Sequence, residues 1–206
     1  MKEYHKIIGI YVFDEKTHKP IPEIMEYFQP MKDWQWIFTE KIDWTNIRVF
    51  WDWHRVSFGW RTDNAQVPTR LLNRLQDIFM EELFEQKFWE TPVTLYGEWY
   101  GGKIQKWIND YKDEEDFILF DVEINWVRLE RENIEGIAKS FNINCVPIIL
   151  TWTLYHWIDW VLQKKKDDNQ KSKQISEWLV WVPIGGYLDR LGKRIIVKIK
   201  QEHFKS

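Results

Sequence analysis

Apolar residues alternate with polar ones, or form short apolar runs, in several stretches of the chain. A period of two is typical of β-strands, and the stretches that show it best are residues 40–50, 56–58, 93–98, 117–124, 146–150, 177–182 and 193–200. Residues 1–38 mix short apolar runs with three prolines, so strand and loop are expected there rather than a separate domain. The pattern predicts a protein in which sheets carry most of the structure.

Two stretches follow a helical period instead. After Pro68, Thr69 is expected to act as an N-cap, and an apolar stripe follows at Leu71, Leu72, Leu75, Ile78, Phe79 and Leu83. Residues 131–141 form a second predicted helix, with Ile134, Ile137, Ala138 and Phe141 on one side. Strands together with these helices indicate the α+β class. Residues 164–173 contain no apolar member and are expected to form a solvated loop.

Composition narrows the class of protein. A chain of 206 residues, 44% hydrophobic and 30% charged, suits one globular domain spanning 1–206. No apolar run approaches the ~18 residues of a membrane span, and no secretory signal is visible, so no membrane partner is expected. One cysteine, Cys145, fits a reducing compartment, and a cytoplasmic location is expected. A net charge of −3 provides no general basic field, so nucleic-acid binding would need a local patch, best supplied by Arg190, Lys193, Arg194, Lys198 and Lys200.

Tryptophan is far more frequent than expected: the chain has 15 tryptophans against 9 glycines. In Asp43-Trp44, Asp52-Trp53 and Asn125-Trp126, a tryptophan stands where an Asp-Gly or Asn-Gly hairpin turn is expected. The left-handed backbone of such a turn costs a residue with a Cβ roughly 1–2 kcal/mol. About ten such positions would remove most of a typical stability of ~5–15 kcal/mol. As written, the sequence is expected to fold poorly.

We interpret many of these tryptophans as glycines of the natural protein, because UGA is read as glycine in some genetic codes and as tryptophan in others. The positions favoured for this exchange are Trp44, Trp53, Trp60, Trp89, Trp99, Trp107, Trp126, Trp152, Trp157, Trp178 and Trp181. Trp34 and Trp160 have surroundings that suit a genuine indole. The alternative is a set of aromatic platforms for sugars or bases, but platforms belong on sheet faces and binding loops rather than in tight turns. UGG codons at Trp44, Trp126 and Trp178 would contradict the interpretation.

Five short motifs follow one another along nearly the whole chain, and each places a charged or aromatic residue in or beside an apolar strand. They are Thr39-Glu40-Lys41-Ile42-Asp43-Trp44, Leu95-Tyr96-Gly97-Glu98, Phe120-Asp121, Glu177-Trp178-Leu179-Val180 and Lys198-Ile199-Lys200. Each motif alone would be an ordinary strand end. In this order they resemble the motifs of the covalent nucleotidyltransferases, and among them the ATP-dependent RNA ligases. That family writes its first motif K-x-D-G, and here Trp44 occupies the glycine position.

The resemblance implies an α+β nucleotidyltransferase (ATP-grasp-like) fold, in which antiparallel sheets enclose an ATP site and helices flank them. Residues 1–206 would be a single adenylyltransferase domain with no separate C-terminal domain. It implies that Lys41 attacks the α-phosphate of ATP in the presence of Mg²⁺, expels pyrophosphate and becomes lysyl-AMP. AMP would then pass to an RNA 5′-phosphate, and an RNA 3′-hydroxyl would attack that activated end. An attacking lysine must be neutral, a form that neighbouring cations favour.

The same resemblance assigns roles to the other motif residues. Glu98 and Glu177 would serve the ribose and the divalent metal, and Phe120 would stack on adenine. Lys198 and Lys200 would hold the α-phosphate, Arg61 would lie near the nucleotide phosphates, and Glu40 would line the adenine pocket. Genuine tryptophans at 44 and 178 would fill space that glycine leaves for the nucleotide.

Two alternatives stay open from the sequence. A minimal DNA ligase or another nucleotidyltransferase would share the lysine step and differ in its acceptor. A catalytically silent nucleic-acid-binding module is favoured if the tryptophans are genuine. Gly101-Gly102-Lys103 lacks the spacing and the hydroxyl of a phosphate loop, and five scattered histidines give no support to a zinc site. The natural RNA and the oligomeric state cannot be predicted from the sequence.

Overall fold

A computed structural model describes residues 3–17, 20–41, 45–60, 69–100, 116–157 and 178–200 of the chain. The chain divides into two compact units. The first unit comprises residues 1–5 and 42–146, and the second comprises residues 6–41 and 147–206. Each unit is therefore assembled from two separated stretches of chain. The single domain expected over 1–206 stays a prediction.

The described elements are mainly short strands, with three longer α-helices, a 3-10 helix at Glu26–Met31 and a helical stretch at 154–157. In chain order the strands are β1 (Ile8–Gly9), β2 (Tyr11–Phe13), β3 (Pro20–Ile24), β4 (Gln35–Glu40), β5 (Thr45–Trp51), β6 (Val56–Trp60), β7 (Val93–Tyr100), β8 (Asp116–Ile124), β9 (Val127–Arg128), β10 (Asn144–Cys145), β11 (Ile148–Thr153), β12 (Trp178–Pro183) and β13 (Val197–Lys200). The helices are α1 (Thr69–Ile78), α2 (Glu81–Phe88) and α3 (Arg131–Ser140). The α+β class is confirmed. None of the described helices is long and apolar enough to cross a membrane.

The first unit contains a sheet in the order β10-β8-β7-β5-β6, with β9 also paired to β8. Its pairs are antiparallel apart from β10 with β8. One face packs against all three helices, because their apolar stripes and alternate strand residues form one core. The buried members of that core are Ile47, Val49, Trp51, Leu71, Leu75, Phe79, Phe84, Val93, Leu95, Trp99, Phe117, Leu119, Val122, Ile134, Ala138 and Phe141.

Between β7 and β8 the register shifts by one residue. Tyr96 lies opposite Asp121, whereas the next residue, Gly97, lies opposite Leu119. Phe120 is thus the extra residue of a β-bulge and is left out of the regular ladder. Asp121 consequently takes the face that Phe117 and Leu119 do not use, which brings a carboxylate to the side of the sheet opposite the helices.

The second unit contains a sheet in the order β1-β13-β12-β4-β11, and β2 and β3 form a separate two-stranded sheet. Pairing is antiparallel except between β1 and β13. One face of the larger sheet is apolar: Phe38, Trp181 and Val197 lie opposite one another in the register and are fully buried. The strand predictions for 177–182 and 193–200 correspond to β12 and to the shorter β13.

The stripe predicted over 69–83 is divided between two helices. Residue Phe79 is 2% exposed in the core, and Met80 has an extended backbone that separates α1 from α2. Leu75 and Phe84 both reach the same core from the two helices. Thr69 is the first helical residue rather than the N-cap that the sequence suggested. The second helix, predicted over 131–141, is confirmed as α3.

Three of the suspect tryptophans occupy a glycine-like backbone. Trp53, Trp89 and Trp126 have φ angles of 72°, 47° and 69°, and their side chains are 54%, 72% and 66% exposed. Asn125 also has a positive φ of 45°, so Asn125-Trp126 forms the expected two-residue turn between β8 and β9. These positions support the interpretation that glycine is the natural residue.

The turn at Asp52-Trp53 differs from the two-residue hairpin that the sequence suggested. The loop between β5 and β6 contains four residues, 52–55. Its conformation is stabilised by the Asp52 carboxylate, which accepts hydrogen bonds from the backbone N–H groups of His54 (3.1 Å) and Arg55 (2.9 Å). Trp53 is its one residue with positive φ. Glycine is still the residue that this loop favours at position 53.

Other suspect tryptophans fill cores. Trp99, Trp157 and Trp181 are 7%, 4% and 0% exposed, and each packs in an apolar cluster. The structure therefore does not favour glycine at these three positions. Trp34 packs against Tyr187, with ring centroids 4.4 Å apart and the planes tilted by 34°, as suits a genuine indole. Trp44, Trp107 and Trp160 lie outside the described residues.

Returning Trp53, Trp89 and Trp126 to glycine together is expected to raise the free energy of unfolding by about 1–3 kcal/mol. Glycine removes the strain that a residue with a Cβ has in a left-handed backbone, which stabilises the folded state. Part of this gain is offset, because glycine also increases the conformational entropy of the unfolded chain. Urea titration followed by tryptophan fluorescence measures it. The matched control is Trp181→Gly, which leaves a cavity and is expected to cost about 3–5 kcal/mol. A lower urea midpoint for the triple variant would show that the exposed indoles stabilise their turns.

Candidate active site

The predicted site residues are divided between the two units. Lys41 and Lys198 lie in the second unit, and Glu98 and Phe120 lie in the first. Arg61 and Glu177 lie outside the described residues. The backbones of Glu40 and Lys200 are described, in β4 and β13, but their side chains fall outside the description.

Lys41 immediately follows β4, which lies between β12 and β11 in the sheet of the second unit. The end of β4 is fixed on one side by β12, where Leu179 pairs with Glu40 and Val180 with Thr39. The Thr39 hydroxyl also donates to the Val180 carbonyl oxygen at 3.3 Å. A half-buried lysine is thus held at the end of an interior strand rather than on a loose loop.

Lys198 reaches the same sheet from the far end of the sequence. Val180 lies opposite Thr39 on one side and opposite Lys198 on the other, so these three residues share one face. The adjacent row of the register, Phe38 with Trp181 and Val197, faces the core. Lys198 therefore lies on the face away from the core and is half-buried there. Lys41 and Lys198 are 157 positions apart in the sequence, and β12, which pairs with both β4 and β13, brings them to one sheet.

In the first unit, polar side chains occupy the sheet face that the helices leave open. The register places Asn46, Glu98 and Ile118 in one row across β5, β7 and β8, and Arg48, Tyr96 and Asp121 in the next. Residues directly opposite in a ladder share a face, so this side of the sheet presents charged groups and aromatic rings together. The intervening row of Ile47, Gly97 and Leu119 faces the helices.

Glu98 is a half-buried carboxylate on this open face. The Asn46 side-chain amide donates to its Oε1 at 3.4 Å, a long hydrogen bond that orients the carboxyl group. In the neighbouring row Arg48 is 3% exposed and donates to the Trp60 carbonyl oxygen. A carboxylate held in this way can accept a hydrogen bond from a hydroxyl group or bind a divalent cation.

Phe120, the bulge residue of β8, is half-buried beside Tyr100, Ile118 and Val146. The ring of Tyr4 meets it edge to face, with centroids 5.0 Å apart. An aromatic ring that stays partly exposed on a polar sheet face can stack on a planar ligand such as a base.

A buried ionic cluster adjoins Phe120. The Arg128 guanidinium donates to Asp121 at 3.1 Å and lies 2.9 Å from Glu123, and the Tyr4 hydroxyl donates to Asp121 at 2.8 Å. Burial opposes the charge of Arg128, but Asp121 and its neighbours outweigh burial and raise the pKa of the guanidinium. Burial raises the pKa of Tyr96, because it disfavours the charged phenolate. The cluster therefore pairs one guanidinium with two buried carboxylates.

Glu98 is the one predicted metal ligand whose side chain the structure describes. No group of three or more His, Cys, Asp or Glu side chains with metal-binding geometry occurs in the described ranges. Mg²⁺ often uses one or two carboxylates together with phosphate oxygens and water, and Glu98 can supply one such carboxylate.

Sequence reasoning missed Tyr4, Asn46 and Arg128. Two acidic residues within the buried strand 117–124 were the available signal, because buried carboxylates need a cation or donors. The turn at Asn125-Trp126 returns β9 alongside β8 and pairs Arg128 with Glu123. Tyr4 has no comparable signal, since its partner Asp121 is 117 positions away.

Comparisons with known proteins bear on the family and the fold of this chain. A family model described as RNA ligase matches residues 35–200. An apo variant of Naegleria gruberi RNA ligase has a TM-score of 0.62 and 19% identity, over 98% of this chain and 60% of that chain. Another variant of that ligase, with ATP and Mn, has a TM-score of 0.63 and 19% identity, over 98% of this chain and 60% of that chain. An archaeal ATP-dependent RNA ligase has a TM-score of 0.59 and 13% identity, over 99% of this chain and 49% of that chain.

The likeness to these solved structures is one of fold, because the identities are below 20% for the three compared. The chain spans about 60% of the length of the Naegleria ligase structures. No curated protein matches the sequence.

Proposed function

This chain belongs to the RNA ligase family, and on that premise we propose that it is an ATP- and Mg²⁺-dependent RNA ligase that works through a lysyl-AMP intermediate. The family match over residues 35–200 carries the proposal, because it covers all five motifs. The substrates are RNA ends, a 5′-phosphate and a 3′-hydroxyl. Solved relatives of this fold include a ligase variant with ATP and Mn and one with AMP and Mn.

Lys41 is the proposed nucleophile. Its position at the end of β4, an interior strand, supports this role because a nucleophile must be held still relative to the phosphate that it attacks. The amine attacks the α-phosphorus of ATP, the bond to the β-phosphate oxygen breaks, and pyrophosphate leaves with the electron pair. Lys198, on the open face of the same sheet, and Lys200 are proposed to neutralise charge on the α-phosphate.

Phe120 and Glu98 are proposed to contact the nucleoside and the metal. Phe120 would stack on adenine, and Glu98 would serve the ribose or the metal, roles that their half-buried positions on the open sheet face support. Bound Mg²⁺ would neutralise charge on the phosphates. Glu40, Arg61 and Glu177 remain proposals from the motif order: Glu40 for the adenine pocket, Arg61 for the phosphates and Glu177 for the ribose and the metal.

Cys145 is proposed to play no part in the chemistry. Burial raises the pKa of its thiol to about 11, so the reactive thiolate is scarce at neutral pH. A lone reduced cysteine fits the proposed cytoplasmic location.

The RNA acceptor distinguishes this proposal from a minimal DNA ligase. Nicked DNA, nicked duplex RNA and single-stranded RNA, each with a 5′-phosphate and offered in competition, are expected to be sealed with RNA preferred. Preferential sealing of nicked DNA would favour the alternative. Tight RNA binding without label transfer from ATP would instead favour a silent binding module.

We propose the hairpin of residues 187–195 as one RNA contact of the ligase. The hairpin is closed by backbone hydrogen bonds from Asp189 to Lys193 (2.7 Å) and from Ile195 to Tyr187 (3.0 Å). The Asp189 carboxylate also accepts bonds from the N–H groups of Leu191 and Lys193, both at 2.8 Å. This rigid turn leaves Arg190 and Lys193 exposed, where an RNA phosphate can reach them.

Replacing Arg190 and Lys193 together by alanine is expected to weaken binding of single-stranded RNA and to reduce its salt dependence. Each lost phosphate contact should lower the slope of log K against log[salt] by about 0.7. Fluorescence anisotropy with a labelled RNA at several salt concentrations measures the slope. The matched control, Arg70→Ala with Lys139→Ala, removes two exposed cations from the helices of the first unit. Equal slopes for the two double variants would exclude the hairpin as a specific contact.

A further inference from the structure

We propose that Tyr4 and Arg128 are positioning residues, which hold Phe120 in the orientation that adenine stacking requires. The inference rests on the proposed function, because it assumes that Phe120 receives the base. It concerns residues outside the five motifs. All the contacts that carry it lie within the first unit.

Phe120 needs support from outside its own strand. As the extra residue of the β-bulge it lacks the regular cross-strand partner that fixes its neighbours. Its ring is only half-buried. The perpendicular ring of Tyr4, at an interplanar angle of 88°, lies against it and limits its rotation.

Tyr4 is itself anchored by the residue next to Phe120. Its hydroxyl donates to Asp121 Oδ2 at 2.8 Å, and its ring meets Tyr96 at 5.0 Å and stacks on His5 at 4.8 Å. Movement of Asp121 would therefore move Tyr4, and with it the ring that lies against Phe120. The hydrogen bond thus couples the position of the Tyr4 ring, which lies beside Phe120, to the position of Asp121.

Arg128 fixes Asp121 in turn. The guanidinium carbon lies 4.2 Å from the centroid of the Tyr96 ring and 4.8 Å from that of Tyr4, while the nitrogens bond Asp121 and Glu123. The Asp121 and Glu123 side chains are 2% and 4% exposed. A charge buried between two rings and two carboxylates has little freedom to move.

The arrangement points to positioning as well as stability. A buried ion pair can often be replaced by apolar residues with no loss of stability, so it is weak evidence for a purely structural role. Here the Tyr4 hydroxyl connects the ion pair of Arg128 and Asp121 to the Tyr4 ring, which lies perpendicular to Phe120. Glu123 bonds the same guanidinium but lies on the side of Asp121 away from Phe120.

The test uses the full chain and measures lysyl-AMP formation at varied ATP concentrations. Phe120→Ala is expected to raise the KM for ATP by roughly 5- to 150-fold, the range for one lost base-stacking contact, with kcat little changed. Tyr4→Ala is expected to raise KM about fivefold, and Tyr4→Phe, which keeps the ring, much less. Since Tyr4 acts through Phe120, adding Tyr4→Ala to Phe120→Ala should raise KM no further.

The matched control is Leu75→Ala, which opens a cavity in the helix-facing core of the first unit and leaves the contacts of Tyr4, Arg128 and Phe120 in place. It is expected to lower the urea midpoint while leaving KM within about twofold of the parent. Tyr4→Leu provides a second test if Tyr4→Ala does not fold, because it keeps apolar volume and removes the ring. Retention of the parent KM by that variant, or by Tyr4→Ala, beside a raised KM for Phe120→Ala would overturn the positioning role alone.

An unchanged KM in Phe120→Ala would overturn the stacking role and the positioning role with it. Lysyl-AMP formation absent from every version of the chain, including the parent, would instead overturn the proposed function. Additive effects of Tyr4→Ala and Phe120→Ala would show that Tyr4 acts independently of Phe120 and would also contradict the inference.

Discussion

Lys41→Ala is expected to abolish lysyl-AMP formation, because no other group can take the place of the amine that forms the bond to AMP. The loss should be roughly a millionfold, the scale of removing an enzyme's nucleophile, and therefore below detection. The substitution removes a half-buried side chain after the end of β4 and should leave the sheet intact. Transfer of label from α-labelled ATP to the protein measures the effect.

The same variant is expected to keep one later step. Sealing of RNA that already carries AMP on its 5′-phosphate does not need the lysine as a nucleophile, so Lys41→Ala should retain measurable activity on that substrate. Lys32→Ala, an exposed lysine in the second unit, is the matched control and should behave as the parent. If Lys41→Ala still forms a protein–AMP adduct, another residue is the nucleophile.

Gly97→Ala is expected to destabilise the first unit by about 3 kcal/mol, at the upper end of the cost of overpacking a core. A Cβ at this position would lie 2.1 Å from Cζ of Phe117 and 2.6 Å from the Ile118 carbonyl oxygen. Because one obstacle is backbone, a side-chain rotation cannot relieve it. Thermal or urea unfolding measures the loss.

Gly136→Ala is the matched control for that substitution. Gly136 lies in α3, and no atom lies within 4 Å of an added Cβ. Alanine favours a helix over glycine by about 1 kcal/mol, so this variant should be more stable than the parent. Similar stabilities for the two variants would show that the Phe117 ring and the Ile118 carbonyl can move away. The glycine of the Leu95-Tyr96-Gly97-Glu98 motif would then owe its presence to something other than packing.

Periodicity predicted the elements well where one face of a strand or helix is buried. The stretch 117–124 became β8 and 131–141 became α3, because both bury a regular set of apolar residues. The break between α1 and α2 was not predictable, since Ile78, Phe79 and Leu83 continue the helical spacing across it. Tertiary packing of Phe79 decides where the first helix ends.

The site was only partly accessible from the sequence. The motif order predicts Lys41, Glu98, Phe120 and Lys198 as site residues, and each of them lies in or immediately after a strand. The bulge at Phe120 was hidden, because register depends on the pairing of β7 with β8 and not on either strand alone. The Tyr4 hydrogen bond to Asp121 depends on a contact across 117 residues, which no local pattern encodes.

The most direct test of the account combines the ligase proposal with the glycine interpretation. Two versions of the chain, one as written and one with glycine at the suspect positions other than the buried Trp99, Trp157 and Trp181, are incubated with ATP and Mg²⁺, digested and mapped by mass spectrometry. The account predicts an adenylyl group on Lys41 in the glycine version. Absence of that adduct from both proteins, with the glycine version folded by circular dichroism, would contradict the central claim. An adduct on the written sequence alone would show that the tryptophans are genuine.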